Sequence, residues 1–317
     1  MRATLSIVLS LLLLPAVAGS QQLEEDEGDF VLEVDVDLVD LAVSVLDDDG
    51  QPVFGLEREH FRVFEDGVEQ EISRFTQEDV PTSVGLVVDT SGSMRNKRER
   101  VATSALVFVR ESNPDDETFI VTFNDQAYLE QRFTRSMGNL VDTLDNLDAR
   151  GETALHDALW VSLDELENEA RLDKKALLVI SDGEDSSSAY GVNPVLERLL
   201  ETDATVYIIG LLELDDDRGG LFRRSPSSRA RRTLTQMAES TGGRAYFPET
   251  LDEVEELCRR VAHDLRNHYS LSYTPTNDAE DGTWREIRIE VDPPRGFPDV
   301  EVSAKDGYFA ASVGDQP

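Results

Sequence analysis

The apolar run Val84-Gly-Leu-Val-Val88, with Asp89-Thr-Ser-Gly-Ser93 directly behind it, constrains this chain more than any other stretch. Short, β-branched and without a polar position, the run reads as a strand covered on both faces, the kind found in parallel sheets flanked by helices. A second run, Ala176-Leu-Leu-Val-Ile180, has the same character and ends in Ser181-Asp-Gly-Glu-Asp185. Around them, strand and helix patterns alternate. Strands are predicted over 84–88, 118–123, 127–133, 176–180, 205–210 and 244–247, and helices over 97–110, 137–147, 154–170, 194–201, 230–240 and 251–266. Strand-then-helix repetition predicts an α/β fold with a doubly wound, mainly parallel sheet over residues 80–267. Such sheets bind ligands beyond the carboxyl ends of their strands.

The flanking segments have a different period. Val34, Val36 and Leu38 share one face of an alternating pattern, and Leu41, Val43 and Val45 share another. Asp47-Asp-Asp-Gly50 and Glu65-Asp-Gly67 are turn signals on either side of Phe61, Val63 and Phe64. Alternation returns after Asn267, in Tyr269, Leu271 and Tyr273, then Ile287, Ile289 and Val291, then Val300 and Val302. Each β segment, 30–79 and 268–310, is about 45 residues, too short for a comfortable core of its own. The expectation is one β-sandwich made from both, with the α/β domain inserted between them.

Asp89, Ser91 and Ser93 alternate with Thr90 and Gly92. A carboxylate with two hydroxyls is a hard-oxygen donor set, suited to Mg²⁺, Mn²⁺ or Ca²⁺. Gly92 lets the turn curl so that side chains two residues apart converge. A capped strand-to-helix turn uses the same residue types, so this segment alone does not decide. Thr153, ahead of a predicted helix, offers a third hydroxyl, and Asp182 places a second carboxylate just past a strand end.

Taken together these residues resemble a von Willebrand factor A domain. Asp89, Ser91 and Ser93 match that family's DxSxS motif, Thr153 its distal threonine and Asp182 its distal aspartate. The resemblance implies a metal-ion-dependent adhesion site. In it, the hydroxyls coordinate directly or through water, the aspartates act largely through bound waters, and a partner's Asp or Glu carboxylate completes the octahedron. Mg²⁺ is the expected ion, with Mn²⁺ or Ca²⁺ as alternatives. Few direct anionic ligands leave the ion under-neutralised, so it still attracts a carboxylate from outside. Phe64-Glu-Asp-Gly67 with Ile72 to Phe75, and Tyr269-Ser-Leu-Ser-Tyr-Thr-Pro275, look like the flanks of a bacterial exported group called VWFA-related proteins.

Composition limits the partners. The chain has 317 residues and a net charge of -35, from 65 acidic against 30 basic residues, which argues against nucleic-acid binding through a basic surface. Residues 1–18 read as a signal peptide, with Arg2, the apolar Ile7 to Leu14, and Ala16-Val-Ala18 as cleavage site, so export to a periplasmic or extracellular space is expected. Residues 19–29 form an acidic leader and 311–317 a tail, and no transmembrane segment is expected in the mature chain. The single cysteine, Cys258, falls in a helical pattern and reads as a small buried residue.

Glu213 to Arg232 is a break rich in arginine: Arg218, Arg223, Arg224, Arg229, Arg231 and Arg232. It reads either as a solvated insertion or as a specificity loop, with Arg218, Arg223 and Arg224 on the rim of the site facing an acidic partner. No G-x-S-x-G elbow, H-E-x-x-H pair or phosphate-binding lysine loop occurs, and among the four histidines only His156 falls near a motif residue. The expectation is a non-enzymatic module with no catalytic residues. The alternatives are a non-catalytic subunit of an envelope enzyme complex or a metal-dependent hydrolase with His156 as base.

Overall fold

The computed structural model of the chain describes residues 38–77, 79–182, 185–212 and 226–312. The signal segment, the acidic leader, Val34, Val36, Arg218, Arg223, Arg224 and the last residues of the tail lie outside them. Alternating apolar residues open the described chain as β1 (Val39–Asp47), β2 (Phe61–Glu65), β3 (Val68–Gln70) and β4 (Ile72–Thr76). The centre runs β5 (Thr82–Asp89), α1 (Arg98–Glu111), β6 (Glu117–Phe123), β7 (Ala127–Thr134), α2 (Met137–Asp145), α3 (Leu155–Glu169) and β8 (Lys174–Ser181). It continues with α4 (Val192–Glu201), β9 (Thr205–Gly210), α5 (Pro226–Glu239), β10 (Ala245–Tyr246) and α6 (Glu253–Arg266). Period-two strands then return as β11 (Tyr269–Tyr273), β12 (Trp284–Val291), β13 (Val300–Ser303) and β14 (Gly307–Phe309).

Among the described residues the central strands form one six-stranded sheet in the order β10-β9-β8-β5-β6-β7. All its pairings are parallel except that of the edge strand β7, which runs antiparallel to β6. β5 is buried along its whole length, and its successive residues serve opposite faces. Val84, Leu86 and Val88 meet α1, α2 and α6 on one side. Val87 joins Phe119, Val121 and Phe123 against α3, α4 and α5 on the other. Gly85 is needed on that second face: a Cβ there would stand 2.3 Å from Phe119 Cζ and 2.5 Å from Leu177 Cδ2.

The predicted central elements are present with ends within two residues of expectation, except α5. That helix begins at Pro226, four residues before the expected start at Ala230. Proline suits a first helical turn, and the polar residues after it carry no apolar signal before Ala230, Leu234 and Met237 pack inward. Arg229, Arg231 and Arg232 are therefore helical and not part of a loop. The Arg231 guanidinium lies 4.1 Å from the Phe247 ring centroid.

Among the described residues the flanking strands build two four-stranded sheets, β13-β1-β11-β4 and β14-β12-β2-β3, so each mixes strands from before and after the α/β domain. Their shared core contains Leu41, Val43 and Val45 of β1, Phe61 and Val63 of β2, Tyr269, Leu271 and Tyr273 of β11, and Ile287 of β12. The fold is thus an α/β unit inserted in a β-sandwich of N- and C-terminal strands. The β2–β3 hairpin turns at Asp66 (φ 48°) and Gly67 (φ 78°), the left-handed pair that the Asp-Gly signal predicts. Inside the sandwich, Tyr273 and Tyr308 donate to buried Glu65 Oε2 at 2.7 and 2.9 Å.

A second polar cluster joins the sandwich to the insert. Asp264 of α6 accepts from Ser44 Oγ of β1 and from the Tyr207 hydroxyl of β9, each at 2.6 Å, and Tyr207 also meets His268 Nε2 at 2.8 Å. Burial alone would raise the Asp264 pKa, but His268 and the two hydroxyl donors outweigh it and hold the carboxyl below its ordinary value. Burial keeps the His268 imidazole below its usual value despite Asp264. Among the described residues no helix is long and apolar enough to cross a membrane.

Candidate functional site

Parallel pairing puts the ends of β5 and β8 side by side, with Val88 opposite Ile180. Asp89 ends β5, Ser181 ends β8 and Asp182 follows it, so both carboxylates arise at the carboxyl edge of the sheet. After Asp89 the chain passes through Ser91 in extended conformation into a short 3₁₀ turn, Gly92–Asn96, that leads to α1.

The side chains form one hydrogen-bonded series. Ser181 Oγ donates to Asp89 Oδ2 at 2.6 Å, and the Ser91 amide donates to Asp89 Oδ1 at 2.8 Å. Ser91 Oγ and Ser93 Oγ are 3.0 Å apart, and Ser93 Oγ donates to Asp182 Oδ1 at 2.7 Å. Asp89, Ser91 and Asp182 are buried, whereas Ser93 is exposed and gives the cluster its opening to solvent.

Thr153 is brought in by the backbone. The Gly92 amide donates to Gly151 O at 3.0 Å, and Arg150 N donates to Thr90 O at 2.8 Å, which stitches the second loop to the first. Ala154 N donates to Asn124 O at 2.7 Å, and Thr153 O accepts from Ser186 N at 2.8 Å. Thr153 is itself buried. The structure thus gathers all five sequence-predicted residues, Asp89, Ser91, Ser93, Thr153 and Asp182, at one end of the sheet. Arg218, Arg223 and Arg224 lie outside the described residues.

Burial is the main influence on Asp89 and pushes its pKa up to about 6, against the lowering effect of the Ser181 and Ser91 donors. Asp182 adds repulsion. A buried carboxylate under this pressure is stabilised by any added positive charge. Among the described residues no group of three or more His, Cys, Asp or Glu side chains is placed to hold a metal. The donors here are two carboxylates and hydroxyls, a set that fits a hard, oxygen-seeking cation and not a soft one.

The sequence reading missed Lys97. Its Nζ donates to Asp182 Oδ2 at 2.6 Å, with both side chains buried. The available signal was its spacing of four from Ser93, which sets both side chains on one face of the helical turn. The other residues near the strand ends hold backbone. Asp125 accepts from Glu152 N at 2.7 Å, and Asp185 accepts from His156 N at 3.1 Å. The His156 ring is held by other groups: Nδ1 lies 3.2 Å from Tyr190 O and 3.4 Å from Asp185 Oδ2.

The family model for the von Willebrand factor type A domain matches residues 84–184. Among solved structures the chain is similar to von Willebrand factor type A from Catenulispora acidiphila, at 11% identity over 89% of this chain and 76% of that one, with a TM-score of 0.50. It is also similar to the PilB minor pilin from Streptococcus sanguinis, at 13% identity over 60% of this chain and 62% of that one, with a TM-score of 0.46. A further likeness is to the vWF domain of the type V pili tip protein Mfa5 from Porphyromonas gingivalis, at 20% identity over 34% of this chain and 39% of that one, TM-score 0.32. The chain therefore spans less than two thirds of either pilus structure. None of the curated proteins matches it. At these identities the structural likeness to the Catenulispora acidiphila protein concerns the fold, and the family resemblance rests on residues 84–184, which match the von Willebrand factor type A domain.

Proposed function

We propose that this protein is an exported, non-enzymatic binding module whose divalent cation, Mg²⁺ in the first place and Mn²⁺ or Ca²⁺ as alternatives, captures an Asp or Glu side chain of a protein partner. The observation that carries this reading is the hydrogen bonding of Ser181 and Ser93 hydroxyls to two buried carboxylates, with the Ser91 hydroxyl against Ser93 and Ser93 left open to solvent. Asp89, Ser91, Ser93, Thr153 and Asp182 would hold the ion. The serine hydroxyls are engaged with carboxylates and with each other, an arrangement suited to ligation and not to nucleophilic attack assisted by an imidazole. Arg218, Arg223 and Arg224 are assigned to the partner's acidic surface on charge alone. Export rests on Arg2, the Ile7 to Leu14 run and Ala16-Val-Ala18.

Isothermal titration of the wild-type protein and Asp89→Ala with Mg²⁺ and Mn²⁺ tests the site. The wild type should bind one ion saturably, and Asp89→Ala should lose about 100-fold or more in affinity. Equal affinity in the two proteins would remove the assignment.

A further inference from the structure

We propose that Lys97 is a built-in counter-charge that weakens the site for a bare divalent cation and thereby makes tight cation binding depend on the partner's carboxylate. The inference rests on the cation-site reading above and concerns how that site is regulated.

The position of Lys97 is unfavourable by ordinary rules. It is the N-cap of α1, where the helix dipole disfavours a cation. It is also 6% exposed, and burying an ammonium is costly unless a hydrogen-bonded partner offsets it. One such partner is Asp182, whose side chain is 0% exposed. Asp182 Oδ2 accepts from Lys97 Nζ at 2.6 Å, while Oδ1 accepts from Ser93 Oγ at 2.7 Å. One oxygen of this carboxylate is therefore tied to the serine of the donor set and the other to a fixed positive charge.

The charge balance follows from Coulomb's law. With Lys97 in place, its positive charge offsets the Asp182 carboxylate that it touches, so a dication held by Asp89 and Asp182 meets less net negative charge. A bound dication then keeps a net positive charge, which an outside carboxylate neutralises. Without Lys97 both aspartates would neutralise the ion, so it would bind more tightly alone and attract an outside carboxylate less. Lys97 accordingly shifts affinity from the cation by itself to the cation with its acidic ligand.

Titration with Mn²⁺, read by electron paramagnetic resonance of the free ion, tests this on the full chain, with acetate as the carboxylate probe. Lys97→Met and Lys97→Gln should each tighten Mn²⁺ binding without acetate on the order of tenfold, and Lys97→Arg, which keeps the charge, should stay within about twofold of wild type. Saturating acetate should tighten Mn²⁺ binding in wild type and do so less in Lys97→Met. Unchanged or weaker Mn²⁺ binding in the Met and Gln variants, with wild type binding and Asp89→Ala not binding, overturns the role of Lys97 and leaves the cation site standing. If wild type does not bind Mn²⁺, the site reading falls and this inference with it. Circular dichroism checks folding: Lys97→Gln decides if Lys97→Met unfolds, and unfolding of both would make Lys97 a structural residue and end the proposal.

Discussion

Gly151 bends the second loop of the site through the left-handed region (φ 77°), and a Cβ there would stand 2.6 Å from the Asp125 carboxylate oxygens. Its carbonyl receives the Gly92 amide, so this residue fixes where Thr153 sits relative to the serines. Gly151→Ala is expected to cost about 1–3 kcal/mol, from backbone strain and the clash together. It should weaken Mn²⁺ binding in the same protein, with urea denaturation giving the first effect and the metal titration the second. At this scale the sequence was informative where residue type and spacing coincide. The convergence of Asp89, Ser91, Ser93 and Asp182 was legible because they follow two buried runs whose parallel pairing sets the strand ends side by side. Lys97 was not, because a lysine at a helix start reads as solvated until the fold places Asp182 beside it. Arg231 likewise read as loop charge and instead covers the Phe247 ring.

The helices and central strands were legible from period alone wherever one face or both are apolar. β5 nevertheless begins earlier than its apolar run because Thr82 and Ser83 are buried polar residues whose bonds are met from the neighbouring strand and turn. Thr82 N donates to Asp116 Oδ1 at 2.6 Å and Ser83 Oγ to Glu117 Oε1 at 2.7 Å, partners that no hydrophobic pattern reports. β14 is three residues long and was missed for want of any period. α6 gives the sharpest test of an element's stability. Cys258 faces the core from this helix and is fully buried, and burial raises its thiol pKa. The thiolate is the reactive form, so alkylation by iodoacetamide at mildly alkaline pH should be at least ~100-fold slower in the native protein than in urea. Mass spectrometry of the Cys258 peptide reads both rates, and comparable rates would mean that α6 opens freely.

Across the whole molecule, Asp264 links β1, α6 and β9 in one buried network. Removing it as Asp264→Ala leaves two buried hydroxyls without their acceptor and is expected to cost about 3–5 kcal/mol in urea denaturation near neutral pH. The sign of the pH effect follows from its depressed value. Since the folded carboxyl lies below the ordinary 3.8, its contribution is present above about pH 4 and is lost as the pH falls through the folded value. The stability gap between wild type and Asp264→Asn should therefore narrow as the pH is lowered from about 7 towards about 3, and a constant gap would show that Asp264 does not titrate in this way. The β-sandwich also carries a consequence for synthesis. Thr76, where the sandwich is interrupted, pairs with Ser270, where it resumes, and both neighbours of β1 come from beyond the insert. A ribosome making this chain from its N-terminus thus releases β1 long before β11 and β13 exist. The inserted domain can fold while the first strands wait with open edges, which makes a prematurely ended chain an aggregation hazard and the last-made strands the ones that seal the molecule.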